Sequence, residues 1–270
     1  MAAMLLLVPI VVPAQAADAS AWDKDMHSAM RLIAAGALRG AGPATFRAGI
    51  EIRLDPGWKT YWRYPGDSGV PPRFTFTGSE NVKNVTVRWP APHRFSDDGG
   101  QSIGYKEHII LPLSIEPQDA SKPAKLRLSL EYAVCEKLCV PAEGKAELTV
   151  TRESTAHDTA VTAAGALVPQ RRALGDKSAL AIRAVRREGP GRIAVDVAAP
   201  DGTEVDLFAE GPTESWALPL PEPAPGAPAG LKRFTVTLDG LPPGAKPGGA
   251  TLTLTAVAGA AAIEVSYRLD

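Results

Sequence analysis

The stretch Thr45-Phe-Arg-Ala-Gly-Ile-Glu-Ile-Arg-Leu54 places Phe46, Ala48, Ile50, Ile52 and Leu54 at every second position. Successive side chains of an extended backbone point to opposite sides, so a period of two predicts a strand with one face against a core. Asp55-Pro56-Gly57 follows at once and supplies the residues that reverse a chain. The pattern repeats downstream. Strands are expected at 58–64, 73–77, 82–89, 108–115, 126–134 and 146–152, separated by Gly66, Pro71-Pro72, Gly78, Pro90, Pro92, Gly99-Gly100 and Pro117. About eight short strands at this spacing predict an antiparallel sandwich of immunoglobulin type. Nine of the sixteen aromatic residues lie between Trp58 and Tyr105, so this first domain, residues 17–152, is expected to own the aromatic core.

Twenty-five glycines and twenty-five prolines in 270 residues suit a chain of many turns, and a hydrophobic share of 45% is ample for packed cores. Residues 153–177 break the alternation. Thr155-Ala-His-Asp-Thr-Ala-Val-Thr-Ala-Ala-Gly-Ala-Leu167 is rich in alanine and predicts a short linking helix before Pro169. Alternation returns from 178, with strands expected at 179–185, 192–198, 204–209, 233–238, 251–257 and 262–269, the last two forming a hairpin. Pro219, Pro221, Pro223, Pro225 and Pro228 predict an extended polyproline loop there, not a strand. The fold class expected is all-β: two immunoglobulin-like antiparallel sandwiches joined by a short, partly helical linker, the second at 178–270.

Lys and Arg number 29 against 30 Asp and Glu. That balance, with no basic run, argues against nucleic acid and against an anionic membrane surface as partners. The chain opens with an apolar run ending in Ala14-Gln15-Ala16, shorter than the ~20 residues that cross a bilayer. It reads as an export signal at 1–16, cut after Ala16, although no Lys or Arg precedes Lys24. The mature chain is then expected to be exported, without stable membrane insertion, into an oxidising compartment.

Chemistry concentrates in Glu131-Tyr-Ala-Val-Cys135-Glu-Lys-Leu-Cys139-Val-Pro141, which holds the chain's two cysteines. Leu126, Leu128, Leu130, Tyr132 and Val134 share a strand face, and Cys135 falls on the other. Pro141 lacks an N–H and is expected to discourage pairing beyond Cys139, leaving both thiols at a strand junction. Three readings stand here: a redox-active pair, a structural bridge in a non-enzymatic binding or assembly module, or a copper-handling pair of soft ligands. A bridge closing about five residues is worth roughly 2 kcal/mol by loop entropy, against about 3 for fifteen residues, which weights the first. His93 and His108 are the imidazoles that would complete a metal site. Asp97 and Asp98 are either proton-handling acids near the sulfurs or a solvated turn. No G-x-S-x-G supports a serine nucleophile.

Taken together, Cys135-Glu-Lys-Leu-Cys139-Val-Pro, Gly57-Trp-Lys-Thr-Tyr-Trp-Arg63, Trp89-Pro-Ala-Pro-His-Arg-Phe95 and Gly104-Tyr-Lys-Glu-His-Ile-Ile-Leu-Pro-Leu113 resemble the periplasmic N-terminal domain of the DsbD/ScsB protein-disulfide reductases. The resemblance runs from about residue 28 to 151, and the second half is similar to the extra sandwich of ScsB-type members. It implies a periplasmic thiol–disulfide interchange domain with Cys135 and Cys139 as its redox pair and no cofactor. It assigns mixed-disulfide formation to Cys139. It also implies that Tyr61 borders the pair and that Phe95-Ser-Asp-Asp-Gly-Gly-Gln-Ser102 forms a cap loop, with Phe95, Asp97 and Asp98 at the site's edge. The implied partners are periplasmic thiol–disulfide proteins and a thioredoxin-like or membrane electron donor on a separate chain. Two departures stand out: C-x3-C is narrower than the family's best-known spacing, and Asp98 or Gly99 replaces the cap's aromatic.

Overall fold

The computed structural model describes residues 17–37, 45–66, 69–97 and 100–270; the expected export signal at 1–16 lies outside them. In chain order the strands of the first half are β1 (Asp23–Asp25), β2 (Ser28–Ala35), β3 (Phe46–Leu54), β4 (Lys59–Gly66), β5 (Arg73–Thr75) and β6 (Val82–Val87). They continue with β7 (His93–Asp97), β8 (Gly100–Lys106), β9 (His108–Pro117), β10 (Ala124–Cys135) and β11 (Cys139–Val150). One sheet has the order β1-β2-β3-β9-β6 and the other β11-β10-β4-β8-β7, with β5 also on β10. All these pairings are antiparallel.

The alternation of β3 does what its sequence dictates, since Phe46, Ala48, Ile50, Ile52 and Leu54 all join the core between the sheets. On the opposite face Gly49 and Glu51 are buried as well, beyond the expectation of a half-exposed strand, whereas Arg47 is half-buried and Arg53 exposed. Over Gly49 the cover is helix α1 (Asp158–Ala166), whose Val161 packs with Ile33 and Ala35 and against Ile110 on that side. Gly49 makes room for it, because a Cβ there would lie 2.8 Å from Ile110 and 3.3 Å from Val161. The linking helix is thus also a cover for the first sheet.

After α1 come β12 (Gln170–Arg171), β13 (Ala181–Arg187), β14 (Arg192–Ala198), β15 (Val205–Glu210), β16 (Glu222–Ala224), β17 (Leu231–Thr237), β18 (Thr251–Ala258) and β19 (Ala261–Arg268). They form sheets β12-β19-β18-β15 and β13-β14-β17-β16, and β12 pairs with β19 in parallel. The β18–β19 hairpin turns at Gly259, with φ +58°. Two proline expectations need correction. Pro223 lies within a strand, on the sheet margin where a missing N–H is tolerated. Pro141 pairs with Ala133 inside the β10–β11 ladder, again on an outermost strand.

The two sandwiches share apolar surface. Phe208, Leu220, Val257 and Ala262 of the second belong to the first domain's core, and the Phe208 ring sits 5.7 Å from that of Trp62, neither residue having measurable exposure. Polar ties ring this contact. Arg63 donates to both oxygens of Glu210 at 2.8 and 2.7 Å and to Glu264 at 2.7 Å. Burial alone would lower the pKa of Arg63, but hydrogen bonds and charge from the two carboxylates hold it well above its ordinary value. Arg94 donates to Asp206 at 2.6 Å and to the carbonyls of Leu207 and Pro221.

Candidate functional site

The β10–β11 hairpin is paired along its whole length, from Ala124 opposite Val150 to Cys135 opposite Cys139. Its tip is Glu136-Lys137-Leu138. Cys135 and Cys139 are joined by a disulfide, their Cα atoms 4.1 Å apart. As the out-of-phase position requires, Cys135 faces away from the core. It packs with Ala133 and Tyr61 on the outer face of the sheet. The two sulfurs are unequally placed: Cys135 is 5% exposed, whereas Cys139 is exposed.

The sequence fixes this neighbourhood through one turn. Trp58 N–H donates to Asp55 C=O at 3.0 Å across Asp55-Pro-Gly-Trp58, with Gly57 at φ +87°, a backbone region that glycine enters without penalty. The turn carries the chain from β3 in one sheet to β4 in the other and fixes where β4 starts. Lys59 then lies opposite Cys135, and Thr60 opposite Val134. The buried Thr60 hydroxyl donates to Ala133 C=O at 2.9 Å and pins a contact only two residue pairs long. Two positions after Lys59, on the same face, the Tyr61 hydroxyl donates to Cys139 Sγ at 3.1 Å. Gly69 lies over the Tyr61 ring, where a Cβ would come within 2.7 Å of it.

On this face the register continues to β8 and β7. Lys59 opposes Lys106, Tyr61 opposes Gly104, and Gly104 opposes His93. Phe95 stands two residues beyond His93, half-buried, with Lys59 Nζ 5.8 Å and Lys106 Nζ 4.9 Å from its ring centroid. Phe95 therefore belongs to this face. Asp97 closes β7 by its backbone, and Asp98 lies outside the described residues. Leu138 at 72% and Val70 at 56% are among the few large apolar side chains left in solvent.

Sequence reasoning passed over Lys59 and Lys106. Their relation to the disulfide exists only once the register of four strands is known; Lys59 was visible solely as part of Gly57-Trp-Lys-Thr-Tyr-Trp-Arg63. His108 is not brought to the sulfurs. Its Nε2 lies 3.0 Å from Glu51 on the other sheet. Burial raises the Glu51 pKa, but hydrogen bonds from Arg31, His108 and Arg53 outweigh it and hold the carboxyl below its usual range. Among the described residues no three His, Cys, Asp or Glu side chains cluster as a metal site, and no helix is long and apolar enough to cross a membrane.

Comparison with known proteins agrees with this geometry. No curated protein matches the chain. The crystal structure of the N-terminal periplasmic domain of ScsB from Proteus mirabilis superposes with a TM-score of 0.71 at 21% identity, over 93% of this chain and 98% of that one. A marsupial T cell receptor, 11% identical over 92% of this chain and 99% of that one, reaches a TM-score of 0.24, too low to carry an argument. Residues 37–151 match the family described as thiol:disulfide interchange protein DsbD, N-terminal. The matched segment, which runs from β3 to β11 and carries both cysteines, is therefore similar to a DsbD N-terminal domain.

Proposed function

We propose that this chain is a periplasmic thiol–disulfide interchange protein that passes electrons through the Cys135–Cys139 disulfide to or from partner proteins. The partners are thiol–disulfide proteins of the same compartment, and the electron donor is a thioredoxin-like or membrane protein on a separate chain. The observation that carries this reading is the unequal exposure of the two sulfurs, with the reachable one at the hairpin tip. A five-residue loop adds only about 2 kcal/mol as a staple, so stability alone is a weak reason for the bond.

In the first step a partner thiolate attacks Cys139 Sγ. The Cys135–Cys139 bond breaks, its electron pair passes to Cys135 Sγ, and a mixed disulfide joins the partner to Cys139. In the second step the partner's other thiolate attacks its own sulfur in that bond and displaces Cys139 as a thiolate. The partner leaves oxidised, and the chain holds two thiols carrying the two electrons. Run backwards, the sequence reduces a partner disulfide. Tyr61 contributes a hydroxyl that can remain on Cys139 Sγ through both steps.

The test is trapping. Cys135→Ser, reduced and offered an oxidised thioredoxin-like protein with an exposed C-x-x-C disulfide, should accumulate a covalent adduct through Cys139 that dithiothreitol releases. Cys139→Ser should not. A Cys135–Cys139 potential below about −300 mV, the range of structural bridges, together with no adduct from either variant, would overturn the reading.

A further inference from the structure

We infer that Leu138 is a specificity-determining residue for disulfide exchange, seating against apolar side chains that rim the exposed cysteine of a thioredoxin-like partner. This inference rests on the exchange reading above and names a contact that neither the cysteine pair nor the match to the family specifies. Its basis is an apolar side chain beside the reachable sulfur: Leu138 directly precedes Cys139 and is 72% exposed. A disulfide holds its two Cα atoms about 4.4–6.8 Å apart, and successive Cα atoms lie ~3.8 Å apart. A mixed disulfide on Cys139 therefore brings the partner's cysteine Cα within about 11 Å of Leu138 Cα. A small transient interface of about 600 Å² on each side has a radius of roughly 14 Å. Centred on that bond, it covers Leu138 whichever way the partner approaches.

The tip holds this side chain in a fixed place. Cys135 pairs with Cys139 at the end of the β10–β11 ladder, the disulfide joins them, and Glu136 N–H donates to Leu138 C=O at 3.4 Å across the three-residue loop. A loop closed this tightly needs little further ordering when a partner arrives. Leucine is also out of place in a tight turn, where glycine, asparagine, aspartate and serine prevail. Leu138 belongs to neither core, so packing within the chain does not explain it. Charge offers the tip little means of recognition. Glu136 and Lys137 carry opposite signs, and the Glu136 carboxylate is turned over Gly57, its Oε1 3.4 Å from where a Cβ would stand. A second exposed apolar residue, Val70 at 56%, follows Gly69, which lies over the Tyr61 ring whose hydroxyl reaches Cys139 Sγ. Removing such apolar surface from water favours association, but only for a partner as large as a protein. A small dithiol reaches the same sulfur without covering Leu138.

The experiment uses the full chain with Leu138→Ala, Leu138→Gln and Leu138→Met, each checked for a wild-type unfolding transition. Opening of the Cys135–Cys139 disulfide is timed by alkylating the freed thiols, once with reduced thioredoxin and once with dithiothreitol at the same dithiol concentration. Wild type should open faster with thioredoxin. Leu138→Ala should slow that reaction about tenfold through lost apolar contact, and Leu138→Gln, which keeps the length but not the apolarity, by a similar factor. Leu138→Met, apolar and of similar volume, should stay within about twofold of wild type. All three should open with dithiothreitol at the wild-type rate. Equal slowing with both reductants would make Leu138 a support of the disulfide itself, and unchanged thioredoxin rates would leave it without a part in docking. Thioredoxin no faster than dithiothreitol on wild type would mean that no docking occurs. Each of these three results overturns the inference and leaves the exchange reading intact. A wild-type disulfide that neither reductant opens would instead overturn the exchange reading itself, and this inference with it.

Discussion

Replacing Phe208 by alanine should destabilise both sandwiches at once. The ring has no exposure, lies 5.7 Å from Trp62 and sits in the first domain's core although it belongs to β15 of the second. Phe→Ala in a packed core costs about 3–5 kcal/mol, part transfer and part cavity. For a chain this size that lowers the melting temperature by on the order of 10 °C, at roughly 2–4 °C per kcal/mol. Because the lost contacts belong to both halves, the expected result is one cooperative transition moved as a whole. Urea unfolding should be followed by tryptophan fluorescence and by far-ultraviolet circular dichroism. Trp58, Trp62 and Trp89 report on the first sandwich and Trp216 on the second. Coincident curves, both shifted to lower urea, are expected. Two resolved transitions with only the second one moved, or a loss under about 1 kcal/mol, would refute the shared core.

Arg63→Met should cost roughly 3–5 kcal/mol in the same assay, because it removes the guanidinium that Glu210 and Glu264 share at 14% and 15% side-chain exposure, leaving only the solvent-exposed Arg171 at 3.7 Å from Glu264. Asp196 is 1% exposed, and its carboxyl is held below the usual range chiefly by the hydrogen bond from Arg233, against the opposing effect of burial and with help from Arg186. A lowered folded-state pKa gives stability that is present at neutral pH and lost as pH falls through that value. Asp196→Asn should therefore be less stable than wild type at pH 7, with the gap closing below about pH 4, as thermal melts across pH would show. Tyr61→Phe keeps the ring and removes the hydroxyl on Cys139 Sγ. It should leave the melting temperature within a few degrees and change the rate of disulfide opening about fivefold, the kinetic equivalent of about 1 kcal/mol. An unchanged rate would mean that this hydrogen bond has no part in exchange.

What the sequence made legible was local. The alternation in β3 and β10 identifies strands, the chain reversal at Asp55-Pro-Gly follows from residue chemistry, and the face assigned to Cys135 follows from counting by two. β7 and β8 went unread because Pro90, Pro92 and Gly99-Gly100 look like punctuation, although the strands between and beyond them are held by partners distant in sequence. The burial of Gly49 on the second face of β3 depends on a helix more than a hundred residues downstream. The setting of Lys59 beside Cys135, and of Phe208 beside Trp62, arises from strand register and domain docking, which no single stretch encodes. Pro141 and Pro223 misled for one reason: proline forbids an interior ladder position, and whether a strand is interior is a property of the finished sheet.

That marginal position of β16 has a consequence for how the molecule meets others. An outer strand ordinarily offers a row of amide hydrogens on which a foreign strand can build. Here Pro223 removes one such hydrogen and Pro221 and Pro225 remove two more just beyond the ends. Recruitment by sheet extension is blunted along that border.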